Sequence, residues 1–227
     1  MSLRRMLEKL ALRIRRPPRS ARDVVPDYAE YLRLQREEYL SHESEVERWA
    51  EGQRRFIKTA FDRVPRSARV LDCASGDGVG LDALRALGFP TLVGVDLSPA
   101  KVARARMRGF QVEEADMHDL SRFEDGSFDA VLSSHTLEHA YEPGRVVLEL
   151  RRLLSAGGLL FVVLPYPDRG TRNDRAHAAK YEIGTHDDDG GARAARYLAE
   201  RGFEVLERRL DTFREPELWL FLRKLGE

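Results

Sequence analysis

The stretch Val70–Gly80, VLDCASGDGVG, decides how the rest of the chain is read. It opens on apolar residues, reaches an acid at Asp72, and passes to Gly76 and Gly78. Glycines so placed permit a tight turn and let the backbone approach a ligand closely. A helical pattern, GVGLDALRALG, follows, with Gly88 as its stop. A strand that turns through glycines into a helix is the opening unit of nucleotide-binding α/β folds.

Outward from this unit the same switch recurs. TLVGVD reads as a strand. SPAKVARARMRG reads as a helix with Ser98 as N-cap and Pro99 at the first helical position. FQVEEAD and SFDAVLSS read as strands, EPGRVVLELRRLLSAGG as a helix running to its terminal glycines, and LLFVVLP as a buried strand. This alternation predicts an α/β protein with a parallel sheet covered on both faces. Near the end, a polar loop and a helix in GARAARYLAERG precede two strands, FEVLERRL and ELWLFLRKL. Their connection, DTFREP, is too short for a parallel crossover, so they should pair antiparallel.

The chain has 227 residues, 42% of them hydrophobic, enough for one large domain with a small appendage. Its 38 basic and 38 acidic residues balance, which argues against a general nucleic-acid binder. The single cysteine, Cys73, excludes an intrachain disulfide and suits a reducing compartment, so a cytoplasmic location is expected. No apolar run approaches the ~18 residues of a membrane span. The first residues depart from this balance, with seven Arg/Lys and one acid before residue 20. Leu3, Met6, Leu7, Leu10 and Ile14 form one apolar stripe on a basic helix that Pro17 and Pro18 end. Residues 1–16 can therefore be read as a peripheral membrane contact or as a helix packed on protein. Residues 27–64 read as helical, with apolar residues recurring among many charges.

Asp96 lies twenty positions after Gly76, where an acid can accept hydrogen bonds from both ribose hydroxyls of a nucleotide. A dinucleotide fingerprint, G-x-G-x-x-G, fails in both frames, because its third glycine would fall at Leu81 or Val79. Asp72 would also bring negative charge near a pyrophosphate. A cofactor with an amino group and a sulfonium, and no phosphate, suits these residues better.

The pattern Asp72-Cys-Ala74-Ser-Gly76-Asp-Gly78 resembles the first motif, D/E-x-G-x-G-x-G, of the class I S-adenosylmethionine-dependent methyltransferases, with Ala74 where that motif has its first glycine. EEADMHDLSRFEDGSFDAVLSSHTLEHAYEPGRVVLELRRLLSAGGLLFVVLP looks like the small-molecule branch of that superfamily, and the resemblance covers about residues 65–165. It implies a Rossmann-like, doubly wound seven-stranded sheet of order 3-2-1-4-5-7-6 with the last strand antiparallel. It also implies S-adenosylmethionine as cofactor, with Asp72, Ala74, Gly76, Gly78, Asp96, Leu97, Asp116, Met117 and Ser133 around it. Asp116 would meet the adenine amino group, and Met117 would offer a backbone N–H to the ring.

The segment HTLEH, His135–His139, fits the H-x-x-E-H pattern of one class of zinc peptidases. Such a site needs a long helix with both histidines on one face. Here a strand precedes His135, and Pro143 follows four residues after His139, which leaves little room. No metal is therefore expected from this motif. TLEHAYEP instead matches the segment after the fourth strand of the resembled branch. His135 then either lines the pocket or acts on the substrate, and His139 supports the turn.

The segment from Tyr166 to Gly191 is too long for a simple connection and should wall the acceptor pocket. His177, Lys180, Tyr181, His186 and Asp187 are its reactive side chains. His177 or His186 can serve as general base toward an acceptor hydroxyl. Alternatively His186 with Asp187, Asp188 or Asp189 holds a divalent ion, or HDDDGG simply caps the next helix.

Three regions follow from this reading: a basic helix and linker over 1–20, a helical lid over 21–64, and a methyltransferase domain over 65–227. The resemblance implies methyl transfer to a small or medium acceptor, more readily oxygen than carbon or nitrogen, by in-line displacement. The alternative is a non-catalytic, methyltransferase-like protein that binds the cofactor or a partner, with or without membrane association.

Overall fold

The computed structural model describes residues 18–25, 27–40, 46–170 and 175–226. The basic stripe expected over residues 1–16 lies outside them. Strands β1 (Arg69–Cys73), β2 (Thr91–Asp96), β3 (Gln111–Glu114), β4 (Phe128–Ser134), β5 (Leu154–Pro165), β6 (Phe203–Asp211) and β7 (Glu217–Lys224) form one sheet in the order β3-β2-β1-β4-β5-β7-β6. Strands β1 to β5 pair in parallel, and β7 runs antiparallel to both β5 and β6. This is the order and the reversal expected above. It places the turns that follow β1, β2, β3 and β4 along one edge, where open α/β sheets bind ligands.

Helices α1 (Tyr28–Leu40), α2 (Val46–Ala60), α3 (Val79–Ala86), α4 (Pro99–Met107), α5 (Pro143–Leu153), α6 (Lys180–Ile183) and α7 (Ala192–Ala199) surround the sheet. Alternating residues of the strands divide the core between its two faces. Leu71, Val131, Leu160 and Leu220 pack with Val147 and Leu150 of α5 and Leu198 of α7. Val70, Leu132, Phe161, Trp219 and Phe221 pack with Phe56, Ile57 and Phe61 at the end of α2. Those three α2-side residues are fully buried, and each contributes about 1.5–3 kcal/mol by leaving water.

Residues 21–64, expected as one helical lid, divide into two layers. Helix α2 is a core layer of the sheet because its apolar face carries Phe56, Ile57 and Ala60. Among the described residues of 21–64, only those of α1 line the ligand edge, through Tyr31, Gln35 and Arg36. A second correction concerns the helix expected to run to Gly158. Helix α5 stops at Leu153, and Leu154 is already extended, with φ −73° and ψ 137°. Leu154 is fully buried and pairs with Phe128 of β4, so sheet pairing and burial overrule local helix propensity.

Candidate active site

The turn after β1 is built from hydrogen bonds across to β2. The Ser75 N–H donates to Val95 O at 2.8 Å, and the Gly76 N–H to Asp96 Oδ2 at 2.8 Å. Asp96 Oδ1 accepts from the Ser98 N–H at 2.9 Å. Two backbone donors thus hold this carboxylate in place, while each of its oxygens keeps capacity for another bond. Burial raises the Asp96 pKa, against the pull of those N–H groups and of Lys101.

Ala74, Gly76 and Gly78 all have positive φ, at 61°, 54° and 84°. A Cβ on Gly76 would meet nothing within 4 Å, whereas one on Gly78 would press on the Phe110 ring at 3.0 Å. Gly76 therefore borders open space, and Gly78 faces the packing of α4. Ala74 occupies a left-handed conformation that costs about 1–2 kcal/mol for a residue with a Cβ. Ala74→Gly should relieve it and raise stability by about 0.5–1 kcal/mol, after the ~0.4–1 kcal/mol that glycine's unfolded-state entropy removes. Urea unfolding at constant m-value checks this; an unchanged or lower midpoint would contradict it.

Asp72 lies beneath the turn. It is 1% exposed, its Oδ2 has no hydrogen-bond partner, and a Cβ on Gly80 would sit only 2.3 Å from that oxygen. Burial, with the Asp96 charge adding to it, pushes its pKa up to about 8. The folded protein therefore holds a proton here that the unfolded chain loses near pH 3.8. The stability this proton confers is complete below pH 3.8, is lost as pH rises, and is gone above about 8. Asp72→Asn should flatten that decline, giving a variant that loses less stability than the parent between pH 5 and pH 9. Parallel slopes in denaturant titrations would refute the assignment.

An open cleft follows these turns, lined by Ala74, Gly76, Asp96, Leu97, Ser98, Lys101, Asp116, Met117, His135, Thr136 and His139, with Tyr31, Gln35 and Arg36 over it. Of the cofactor residues expected from the sequence, Ala74, Gly76, Asp96, Leu97, Asp116 and Met117 lie on its surface. Asp72, Gly78 and Ser133 do not line it. Ser133 is fully buried on β4 with an unpartnered Oγ. All three lie in the layer beneath.

At the β3 end, Asp116 Oδ1 accepts from the His118 N–H at 2.9 Å and from His118 Nδ1 at 2.6 Å, and Asp116 Oδ2 accepts from the Tyr28 hydroxyl. Burial raises the Asp116 pKa, but the His118 and Tyr28 bonds outweigh it and hold the carboxyl at about 2. His118 Nε2 accepts the backbone N–H groups of Tyr141 and Glu142 at 3.1 and 3.2 Å, which leaves the ring hydrogen on Nδ1. His118 and Tyr28 were not singled out from the sequence. The D-M-H spacing was visible, but the Tyr141 turn and α1 that complete the cluster come from distant parts of the chain.

At the β4 end, His135 has φ 50° and donates its N–H to Val163 O at 3.0 Å. Its ring lies between two acids, with Nε2 2.9 Å from Glu217 Oε1 and Nδ1 3.4 Å from Glu138 Oε1. Burial alone would lower its pKa, but the two carboxylates push it up to about 10. His135 thus keeps its proton at neutral pH and is set to donate rather than to accept. Glu217 also accepts from Trp219 Nε1 at 2.8 Å. HTLEH forms no long helix; Leu137–His139 is a single 3-10 turn, as its flanks required.

His177 does not line the cleft. Its Nδ1 pairs with Asp168 Oδ2 at 2.8 Å, and its ring stands edge-on to His139 at 4.6 Å between centroids. His186 stands farther off, with Nδ1 on Lys180 O at 3.1 Å and its ring beside Tyr181. Among the described residues no three-ligand cluster forms at His186: Asp187 lies 3.3 Å from His186 Nε2, but the acids are otherwise engaged. Asp187 pairs with Arg193 at 2.7 Å, and Asp188 with Arg169 at 3.1 Å. Asp189 accepts the Ala192 and Arg193 N–H groups at the start of α7, the capping role considered above.

The chain is similar to known proteins. Residues 71–162 match the family model described as a methyltransferase domain. The ubiquinone biosynthesis O-methyltransferase of Xanthomonas oryzae pv. oryzae is 35% identical over 101 residues, 42% of this chain and 42% of that protein. Its counterpart from Xanthomonas axonopodis pv. citri is 36% identical over 104 residues, 43% of each. The chain thus spans less than half the length of the curated relatives it matches. Among solved structures, the 1,6-didemethyltoxoflavin-N1-methyltransferase of Burkholderia thailandensis, with bound S-adenosylhomocysteine, superposes with a TM-score of 0.66 at 18% identity, over 88% of this chain and 91% of that one. The cyclase SpnF superposes with a TM-score of 0.63 at 18% identity, over 77% of this chain and 82% of that one. At these identities the structures speak for the fold. Among the described residues, no helix is long and apolar enough to cross a membrane. Residues 71–162 thus match a methyltransferase domain, and the seven-stranded sheet has the strand order of the Rossmann-like methyltransferase fold.

Proposed function

We propose that the protein transfers a methyl group from S-adenosylmethionine to an oxygen of a small or medium acceptor. The observation that carries this reading is the acidic floor of the cleft, formed by Asp96 and Asp116 on its surface; the protonated Asp72 below adds no charge at neutral pH. Such a floor fits a cationic cofactor without phosphate and opposes a dinucleotide. Asp96 would hold the ribose hydroxyls, and Asp116 with the Met117 backbone would hold adenine. Tyr28 already bonds Asp116, so α1 would close over that end as a lid. When bound, the cofactor supplies a methyl group already activated on a sulfonium. The chain's part is alignment and exclusion of water, which can account for most of the acceleration. His135, its ring held between Glu217 and Glu138, would shape the wall of the acceptor pocket, and the proton of the acceptor hydroxyl would leave to water. The preference for oxygen rests on the similarity to the Xanthomonas ubiquinone biosynthesis O-methyltransferases.

Isothermal titration with S-adenosylmethionine tests the first half: saturable binding is expected, and none would sink the proposal. Formation of S-adenosylhomocysteine with a panel of hydroxylated aromatic acceptors tests the second. Binding without turnover on hydroxyl, amine or carbon acceptors would favour a non-catalytic binding protein.

A further inference from the structure

The turn after β4 and the segment before α6 bring Glu138, His139 and His177 together, with one ligand atom from each lying within 4.8 Å of the others. Glu138 is 1% exposed, and neither of its carboxylate oxygens has a hydrogen-bond partner. It is held by longer contacts, 3.4 Å to His135 Nδ1 and 4.0 Å to His139 Nε2. The protonated His135 is its close cationic neighbour, and both carboxylate oxygens keep capacity for a second cation.

The two imidazoles are oriented from behind. His139 Nδ1 faces Ala176 O at 3.1 Å, and His177 Nδ1 faces Asp168 Oδ2 at 2.8 Å. Each bond places the ring hydrogen on Nδ1 and the lone pair on Nε2. A carbonyl or carboxylate behind the ring is how proteins orient a metal-ligating histidine and raise its basicity. Asp168 is itself fixed by the buried Lys180 Nζ at 3.6 Å.

We propose that Glu138, His139 and His177 form a binding site for one divalent transition-metal ion of the zinc type. Two imidazoles and one carboxylate suit zinc, whereas magnesium and calcium favour all-oxygen sets. Zinc bonds of about 2.0–2.1 Å put tetrahedral donors about 3.4 Å apart, so the observed spread closes by small side-chain rotations. The site differs from the H-x-x-E-H reading of the same segment. His135 is not a ligand, because its Nε2 engages Glu217. The third ligand comes instead from the loop after β5. The ion would tie that loop to the β4 turn. His139 also lines the cleft, so water or an acceptor oxygen can take the fourth position. That last point rests on the proposed methyl transfer, whereas the site itself does not.

The test uses the full chain, stripped with a chelator and titrated with zinc chloride in competition with a chromophoric chelator, without cofactor or acceptor. Cobalt(II) is substituted in parallel and read by its visible absorption. One equivalent should bind, with a tetrahedral cobalt spectrum and a zinc-dependent rise in Tm. Glu138→Gln and His177→Gln should each weaken zinc by more than the roughly 10- to 100-fold typical of losing an outer partner. His186→Gln should leave it unchanged. If Glu138→Gln does not fold, the half-buried His177→Gln decides. No saturable zinc binding, equal affinity in the folded ligand variants, or an equal loss in His186→Gln would overturn the proposal. A chain that binds S-adenosylmethionine but no zinc would leave the methyltransferase reading standing.

Discussion

Asp96→Ala should weaken S-adenosylmethionine binding by about 100-fold or more. Hydrogen bonds to a charged acceptor contribute about 1.5–3 kcal/mol each, and each 1.4 kcal/mol is tenfold in affinity. Loss of two ribose bonds therefore reaches that range. The substitution also releases the Gly76 and Ser98 N–H groups, which Asp96 holds at 2.8 and 2.9 Å, so the turn that shapes the cleft loosens with it. Asp96→Asn keeps the size and one carbonyl acceptor but turns an NH2 donor toward the Gly76 or the Ser98 N–H, so it should lose more than the about 10-fold of one charged bond and less than the alanine variant. Titration calorimetry of both variants, with Tm measured alongside, separates the contributions. Equal affinity in the parent and the alanine variant would remove Asp96 from the cofactor site.

The largest effect on stability is expected from His118→Ala, at about 3 kcal/mol or more. His118 is 3% exposed and satisfies two backbone N–H groups, those of Tyr141 and Glu142. Each buried donor left unpaired costs about 1–3 kcal/mol, and the vacated ring adds a cavity beside Tyr28 and Tyr31. For a chain of this length the Tm should fall by roughly 6–12 °C. Asp116 also loses its 2.6 Å contact with Nδ1, so the adenine end should bind more weakly. His118→Gln can place an amide oxygen near the Nε2 position. It should recover much of the stability but not the orientation of Asp116. Recovery of both, or loss of neither, would contradict the two-ended role given to this ring.

Much of the fold was legible because its determinants are local. Apolar runs of strand length, helical patterns between them and glycines at the turns recur down the chain. The short link between the last two strands forced β7 to reverse. The misreading at Leu154 shows where such signals stop. LLSAGG carries no local mark that its first leucines divide between a helix and a strand. That division follows from Leu154 pairing with Phe128, a residue 26 positions earlier. The region expected as a lid over 21–64 shows the same limit, since only packing shows that Phe56 and Phe61 belong beneath β5 and β7.

The cofactor turn was readable for the same local reason. Asp72, Gly76, Gly78 and Asp96 sit at strand ends, so their neighbourhood follows once the strands are placed. Even there, chain order could not separate residues that face the cleft from those beneath it. The histidines were less readable. His135 meets Glu217 across 82 residues, and Asp116 meets Tyr28 across 88. His177 reaches His139 only because the loop after β5 folds back over the β4 turn.

By itself the sequence determined the α/β alternation, the reversed last strand and the acid-bearing turn, because each depends on residues close together in the chain. Only the tertiary structure decided which histidine is protonated, which acids are satisfied, and which three side chains converge at Glu138. Those properties depend on burial and on partners many tens of residues away, and no spacing in the chain encodes them.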